Sequence, residues 1–348
     1  MSDVDVLVIG AGQAGLSAAY HLRRRGLAPY RDFVVLDANP GPGGAWQHRW
    51  PSLTLGRAHR VYDLPGLSLD DPDPEEPASA VVARYYAEYE RRFGLPVVRP
   101  VKVSAVTSPD GSEGPLRIDT DHGTWRSRRL VSATGTWDKP HWPAYPGRER
   151  FRGRQLHTHD FRDVEEFSGQ HVVVVGGGTS AVQFLLQLAD VATTTWVTRR
   201  PPEFLPRAFD STWGREVENR VDERVRRGLP PTSVVAATGL PLTEEYQRGI
   251  EAGVLVARPM FEEITEYGVR FVDGTEVRAD TILWATGFRA SLDHLAPLRL
   301  REPGGGITVE RTTVVRDPRI QLVGFGASAS TLGANRAGRV AAMSALAA

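Results

Sequence analysis

The chain has 348 residues, more than one hydrophobic core usually serves, and its 41 % apolar and 24 % charged residues suit a globular protein of two domains. Lys and Arg number 42 and so do Asp and Glu, so zero net charge gives no electrostatic case for nucleic acid or an anionic membrane as partner. The absence of cysteine excludes disulfides, thiolate metal ligands and a redox-active cysteine pair.

The opening Met1-Ser2-Asp3-Val4-Asp5 is acidic where a secretory signal would be basic, and no run of about 18 apolar residues follows, so a cytoplasmic protein is expected. Residues 4–9 (VDVLVI) form a short apolar run suited to a buried parallel strand. The run leads into Gly10-Ala11-Gly12-Gln13-Ala14-Gly15 and a helical stretch ending near Gly26. Gly10 permits the tight turn, Gly12 lets the backbone approach a pyrophosphate, and Gly15 lets the helix pack on the strand. The next strand, 33–36, ends in Asp37, which lies 22 positions after Gly15, where an acid accepts hydrogen bonds from an adenosine ribose.

Residues 70–77 (DDPDPEEP) read as a surface loop. A helix is expected over 78–93, with Val82, Tyr85, Tyr86 and Tyr89 at helical spacing as core. Alternating apolar residues over 101–125, with the turn Pro109-Asp110-Gly111, predict a hairpin. Ala133-Thr134-Gly135 closes an apolar strand, and Pro140, Pro143 and Pro146 mark a crossing into a second domain.

The glycine pattern returns 166 positions after Gly10. Residues 171–175 (HVVVV) lead into Gly176-Gly177-Gly178-Thr179-Ser180-Ala181 and an apolar helix, with Ala181 in the third glycine position, which the fingerprint tolerates. The following strand ends in Arg199 and Arg200 where the first unit has an acid. An acid would repel a 2′-phosphate, whereas a guanidinium grips it with parallel charge-assisted bonds, so this site is expected to take NADPH. A helical insert follows at about 201–253, with Val217, Val221 and Val225 as a narrow docking stripe. Phe204, Arg207, Phe209 and Trp213 are candidates for a substrate lid. Ala285-Thr286-Gly287 closes a further strand, and the small residues from Ser328 to Ala337 open a last helix. No zinc or calcium spacing is present.

Two dinucleotide folds, the first ending in an acid and the second in arginines, resemble the two-dinucleotide-binding-domain flavoproteins. Gly43-Gly44-Ala45-Trp46 is similar to the GGxW of the flavin-containing monooxygenases, and residues 151–161 (FRGRQLHTHDF) to their FxGxxxH string. Residues 280–288 (DTILWATGF) are similar to the D-x3-L-ATG-Y pattern of the N-hydroxylating branch. The resemblance runs over nearly the whole chain and is to the short bacterial relatives of these monooxygenases.

The resemblance implies an α/β protein of two Rossmann-like, doubly wound domains, the NADPH domain (149–288) inserted into an FAD domain (1–148 plus 289–348). FAD would be held by Gly10, Gly12, Gln13, Ala14, Gly15, Asp37, Gly44, Ala45, Trp46, Thr134 and Gly135. Val103 in the hairpin over the adenine end, and Gly326, Leu332 and Gly333 near the last helix, complete that set. The N-terminus of this helix would stabilise negative charge on the reduced flavin. NADPH would be held by Gly176, Gly178, Thr179, Ser180, Ala181, Arg199, Arg200, Thr286 and Gly287. His157 would position NADP, or serve as a structural histidine bonding a backbone carbonyl.

The implied reaction passes a hydride to flavin, adds dioxygen at C4a and oxygenates a small molecule through the (hydro)peroxyflavin, with no acid–base pair. A homodimer is open. Two departures keep an alternative open. The stretch after GGxW lacks the family's asparagine, and Gly326 stands where a flavin-binding aspartate is usual. The alternative is an NADPH-dependent flavin reductase of the thioredoxin-reductase-like type, passing electrons to ferredoxin, flavodoxin or a quinone without a redox disulfide. A nucleotide-binding redox sensor without turnover is the third reading.

Overall fold

The computed structural model describes residues 2–58, 61–206, 211–232 and 239–347, the side chains of 211–217 and 332 excepted. The chain divides into two compact units: Met1–Asp138 with Ser211–Val234 and Ala290–Ala348, and Lys139–Asp210 with Val235–Arg289.

In the first unit the strand Ser2–Ile9 lies between Phe33–Leu36 and Gly123–Ser132, with Val97–Val98 and Ile320–Leu322 beyond them, all parallel. In the second, His171–Val175 lies between Thr193–Thr198 and Thr281–Trp284, with Ala257–Pro259 and Arg154–His157 beyond. Each unit is thus a five-stranded parallel arrangement centred on the strand that feeds a glycine loop. Apolar runs suit these central strands because both faces are covered: Leu7, Val8, Val172, Val173 and Val174 are all fully buried.

The helix Gln13–Arg24 follows the first loop, and the C-terminal helix Thr331–Ala347 packs across it. The small residues of the latter are required by that approach. A Cβ on Gly338 would stand 2.6 Å from Ala14 O, and Ser17 Oγ donates to Asn335 O at 2.8 Å. The helix Ala78–Phe93 buries Val82, Tyr85, Tyr86 and Tyr89. Its phenol tips are satisfied: Tyr85 donates to Leu67 O and accepts from the N–H of Leu64, both at 2.6 Å, and Tyr89 donates to Pro65 O at 2.8 Å. The expected hairpin is formed by Val103–Thr107 and Leu116–Thr120. Its neighbour Gly123–Ser132 pairs antiparallel with the latter while pairing parallel with Ser2–Ile9.

The middle of the insert expected at about 201–253 groups with the first unit, while its two ends stay in the second. Ser211–Val234 clusters with the first unit, and the physical reason is its buried stripe. On the helix Ser211–Arg226, Val221 and Val225 are buried, and Val225 Cγ2 lies 3.1 Å from where a Cβ on Gly326 would be. Glu218 of this helix pairs with Arg336 of the C-terminal helix. The side chain of Val217 lies outside the described residues. Of the lid candidates, Phe204 packs in the second unit between Trp196 and Tyr246, with ring centroids at 6.4 and 6.2 Å. Arg207, Phe209 and the Trp213 side chain lie outside the described residues.

Candidate functional site

The first loop is built from contacts that allow only glycine at two positions. Gly10 has φ +98°, and a Cβ there would lie 2.6 Å from Ala133 O, the alanine of the first ATG segment. A Cβ on Gly15 would lie 1.9 Å from Gly10 O, so the helix is drawn onto the loop. Gly12 differs: a Cβ there meets nothing within 4 Å, so the protein's own packing does not demand this glycine. An open face between two packing glycines, at the start of a helix, fits a pyrophosphate.

Several of the other expected residues pack on this loop or on its neighbours. The turn Gly44–His48 rests on the loop, since a Cβ on Gly44 would stand 2.8 Å from Gly12 Cα. Trp46 is buried in the core behind it, and Ala45 is exposed. Gln13 Nε2 donates to Thr331 O at 2.8 Å, tying the loop to the start of the C-terminal helix, and Ala14 is buried. Thr134 Oγ1 donates to Ser291 O at 2.7 Å, and Gly135 is 3.5 Å from the Cβ position of Gly324. Val103 opens its hairpin strand opposite Thr120. Leu332 and Gly333 lie in the first turn of the last helix, where the Gly333 N–H is taken by Ser330 Oγ at 2.9 Å, an N-cap.

Asp37 is buried, and burial pushes its carboxyl above the usual range against the pull of the Arg99 guanidinium. It accepts from Arg99 Nε at 3.3 Å and Asn39 Nδ2 at 3.1 Å. Arg99 also makes a bidentate pair with Glu90 at 2.7 and 2.8 Å. Sequence reading missed Arg99, Glu90 and Asn39. The hint was the strand 97–98 beside 33–36, whose register sets Arg99 next to Asp37.

The second loop repeats the construction. Gly176 has φ +138°, and a Cβ there would lie 2.2 Å from Ala285 O of the second ATG segment. Gly178 meets nothing within 4 Å and begins the helix Thr179–Leu188, whose Ala181 is buried while Thr179 and Ser180 stay partly accessible. Arg199 and Arg200 are exposed at the end of Thr193–Thr198 and make no ion pair with a described residue. An exposed guanidinium pair beside an open glycine suits a 2′-phosphate. Thr286 Oγ1 donates to His141 O at 2.5 Å, and the His141 N–H to Gly287 O at 2.9 Å. Burial lowers the proton affinity of His141, and the charges of Arg289 and Arg199 lower it further, so these three groups share one neighbourhood.

The FxGxxxH string is a structural frame. The Phe151 ring lies over Gly153, where a Cβ would come within 2.4 Å of it and 2.5 Å of Asp280 O. His157 is fully buried and both ring nitrogens serve the backbone. Nδ1 accepts from the N–H of His159 at 3.1 Å, which leaves the proton on Nε2 to donate to Gly287 O at 3.0 Å. Phe161 stacks on Phe167 at 5.5 Å and packs against the tilted ring of Phe184 at 4.4 Å. His157 therefore acts on its surroundings through the Gly287 turn that it fixes. Asp280 accepts from the N–H of His171 at 2.7 Å, holding the start of the central strand. Among the described residues no group of His, Asp and Glu is arranged to hold a metal ion, and no helix is long and apolar enough to cross a membrane.

Residues 7–313 match the pyridine nucleotide-disulphide oxidoreductase family. The structure is similar to that of the flavin-containing monooxygenase from Stenotrophomonas maltophilia, with TM-score 0.84, 36 % identity and coverage of 100 % of this chain and 99 % of that one. The sequence is 29 % identical to indole-3-pyruvate monooxygenase YUCCA1 of Oryza sativa subsp. japonica, over 90 % of this chain and 82 % of that protein. It is 25 % identical to an uncharacterized CzcO-like oxidoreductase of Geobacillus kaustophilus, over 82 % and 80 %.

The glycines give a test that separates binding from folding. Compared as flavin-stripped proteins, Gly12→Ala and Gly178→Ala should fold with the Tm of the wild type, because the new methyl meets no protein atom. The first should lose flavin colour, and the second should keep it while its KM for NADPH rises at least tenfold. Gly15→Ala should lower Tm outright, by overpacking of about 1–3 kcal/mol. Equal Tm losses in all three would show that the open faces are no ligand sites.

Burial lowers the His157 pKa from 6.5 to about 4. Between these values the unfolded chain takes up a proton that the folded one refuses, so stability falls as pH falls from 6.5 to 4. The contribution is up to about 3 kcal/mol. Urea unfolding at pH 7 and pH 4.5 should show a smaller pH loss in His157→Gln than in the wild type, and an identical loss would contradict the buried neutral ring.

Proposed function

Because the chain belongs to the pyridine nucleotide-disulphide oxidoreductase family, and within it to the flavin-containing monooxygenases, we propose that its two loops divide the cofactors: FAD on Gly12 and Asp37, NADPH on Gly178 and Arg199. The protein is an FAD- and NADPH-dependent oxidoreductase of the monooxygenase type. The disulphide chemistry in the wider family's description is closed to it, since the chain has no cysteine.

The observation that carries the assignment is the pair of open glycine faces, one with an acid at the end of the next strand and one with two arginines. When bound, reduced flavin supplies the reaction with dioxygen, which no side chain here can provide. The balance is fixed: two electrons from NADPH and two from the substrate reduce dioxygen, one oxygen atom enters the substrate and the other leaves as water.

The chain's own residues do the holding. The amides at the start of Gln13–Arg24 face a pyrophosphate beside Gly12, while Asp37 accepts the ribose hydroxyls and Arg99 favours its ionised form. His157 and Thr286 fix the turn at Gly287, and the exposed guanidinium of Arg199 or Arg200 takes the 2′-phosphate. The substrate is a small molecule.

The test is to reduce the purified flavoprotein anaerobically with NADPH and mix it with oxygenated buffer. A delayed return of oxidised-flavin absorbance through a separate spectral phase, with substoichiometric hydrogen peroxide, is expected. Immediate return with one equivalent of peroxide would assign the reductase reading instead.

Arg199→Ala combined with Arg200→Ala should raise KM for NADPH by about 10- to 100-fold, matching the loss of one charge-assisted bond of about 1.5–3 kcal/mol. KM for NADH should move less than threefold. An equal rise for both nucleotides would remove the arginines from phosphate recognition.

A further inference from the structure

Arg49 follows the turn Gly44–His48, with its N–H donating to Trp46 O at 3.0 Å. Its guanidinium carbon sits 4.5 Å from the centroid of the Trp137 ring. His48 lies parallel to the same indole, with centroids 5.9 Å apart and planes 9° from parallel. The support continues to the first loop's acid: His48 Nε2 is 2.7 Å from Asn39 Oδ1, and Asn39 Nδ2 donates to Asp37 Oδ1. The turn carrying Arg49 rests on Gly12, and Trp137 follows Gly135, whose Cβ position is open. Arg49 is thus held at the edge of the first site by a fixed frame.

What the frame lacks is an anion. Among the described residues no carboxylate pairs with the Arg49 guanidinium and no oxygen accepts from it, although burial alone lowers its pKa to about 10. Arg99, a few ångströms of backbone from Asp37, shows the opposite treatment, with two carboxylates of its own. A cation partly withdrawn from water without a counter-charge carries a cost, and its contact with an indole returns only part of that cost. The guanidinium carries five N–H donors suited to a planar or tetrahedral oxyanion.

We propose that Arg49 is the receptor for an anionic oxygen group of a ligand at the first site, either a carboxylate of the substrate or a phosphate of the dinucleotide. The proposal rests on the flavin-site reading above, and the site would select carboxylate-bearing substrates if the first source holds.

The experiment uses the flavoprotein holoenzyme with Arg49→Met, which keeps the length and the apolar stacking, and Arg49→Lys, which keeps the charge. Because weaker flavin binding would itself lower the holoenzyme's Tm, the variants' Tm is compared after the flavin is stripped. Removing an uncompensated cation should then leave Tm of the Met variant equal to or above that of the stripped wild type; a lower Tm in both stripped variants would overturn the proposal by revealing a structural partner. Flavin dissociation is then followed by fluorescence on dilution. A tenfold or greater rise in the FAD Kd of Arg49→Met, partly restored in Arg49→Lys, assigns the phosphate. If the FAD Kd is unchanged, the flavin absorbance is titrated with benzoate, phenylacetate and hexanoate against the corresponding amides. A response to a carboxylate and not its amide, weakened at least tenfold in Arg49→Met, assigns the substrate group. An unchanged FAD Kd with no carboxylate-specific response overturns the proposal. Failure of the wild type to bind FAD at all would instead fail the flavin-site reading.

Discussion

In both units the carbonyl of an alanine at the end of one strand presses on the first glycine of the loop that leaves its neighbour. Ala133 O would lie 2.6 Å from a Cβ on Gly10, and Ala285 O 2.2 Å from a Cβ on Gly176. The alanine N–H of each segment donates at 2.8 Å to the last strand residue before that glycine, Ile9 or Val175. The two ATG segments therefore fix where each glycine loop turns, and the chain leaves each unit within a few residues of them. Every other part of the sites is referred to that turn. Gln13 and Gly44 are placed from the first, and His157 and Thr286 brace the second through Gly287 and His141.

Much of this was legible in the sequence because glycine, apolar runs and terminal charges are local signals. The strands 33–36 and 171–175 and the helix 78–93 were read at the boundaries the structure gives them. The carboxylate and guanidinium at the ends of the second strands were visible for the same reason, since strand length and loop spacing set their places. What stayed hidden was long-range pairing. Arg99 meets Asp37 across 62 positions and Glu90 across nine, and no periodicity announces either bond. The role of His157 was left between two readings, and only the two backbone bonds to its ring decide the tautomer and the burial.

The FxGxxxH string illustrates how a family signature can be a packing rule. Its phenylalanine covers its glycine, its histidine ties a turn from 130 positions away, and its last aromatic joins a cluster with Phe167 and Phe184. None of these side chains needs to touch a substrate to be specified. The departure at Gly326 has a comparable cause. Its φ is +59° and its Cβ position is 3.1 Å from Val225 Cγ2, so an aspartate there would take a strained left-handed backbone and crowd the Val225 side chain.

That helix explains why the chain returns to the first unit midway through the second. The C-terminal helix begins beside the glycine loop, and its first turn needs partners for its free amides and positive end. Ser330 supplies one by accepting the N–H of Gly333, and its hydroxyl lies 3.1 Å from Glu218 Oε1. Glu218 is buried there and paired with Arg336 one turn into the same helix. The carboxylate thus opposes the helix dipole favourably, and the arginine gives it a charged partner. Segments 1–138 and 290–348 place no other described carboxylate against Ser330 or Arg336. The excursion at Ser211–Val234 supplies the missing charge and the valines over Gly326, at the end of the first site where the usual aspartate is absent.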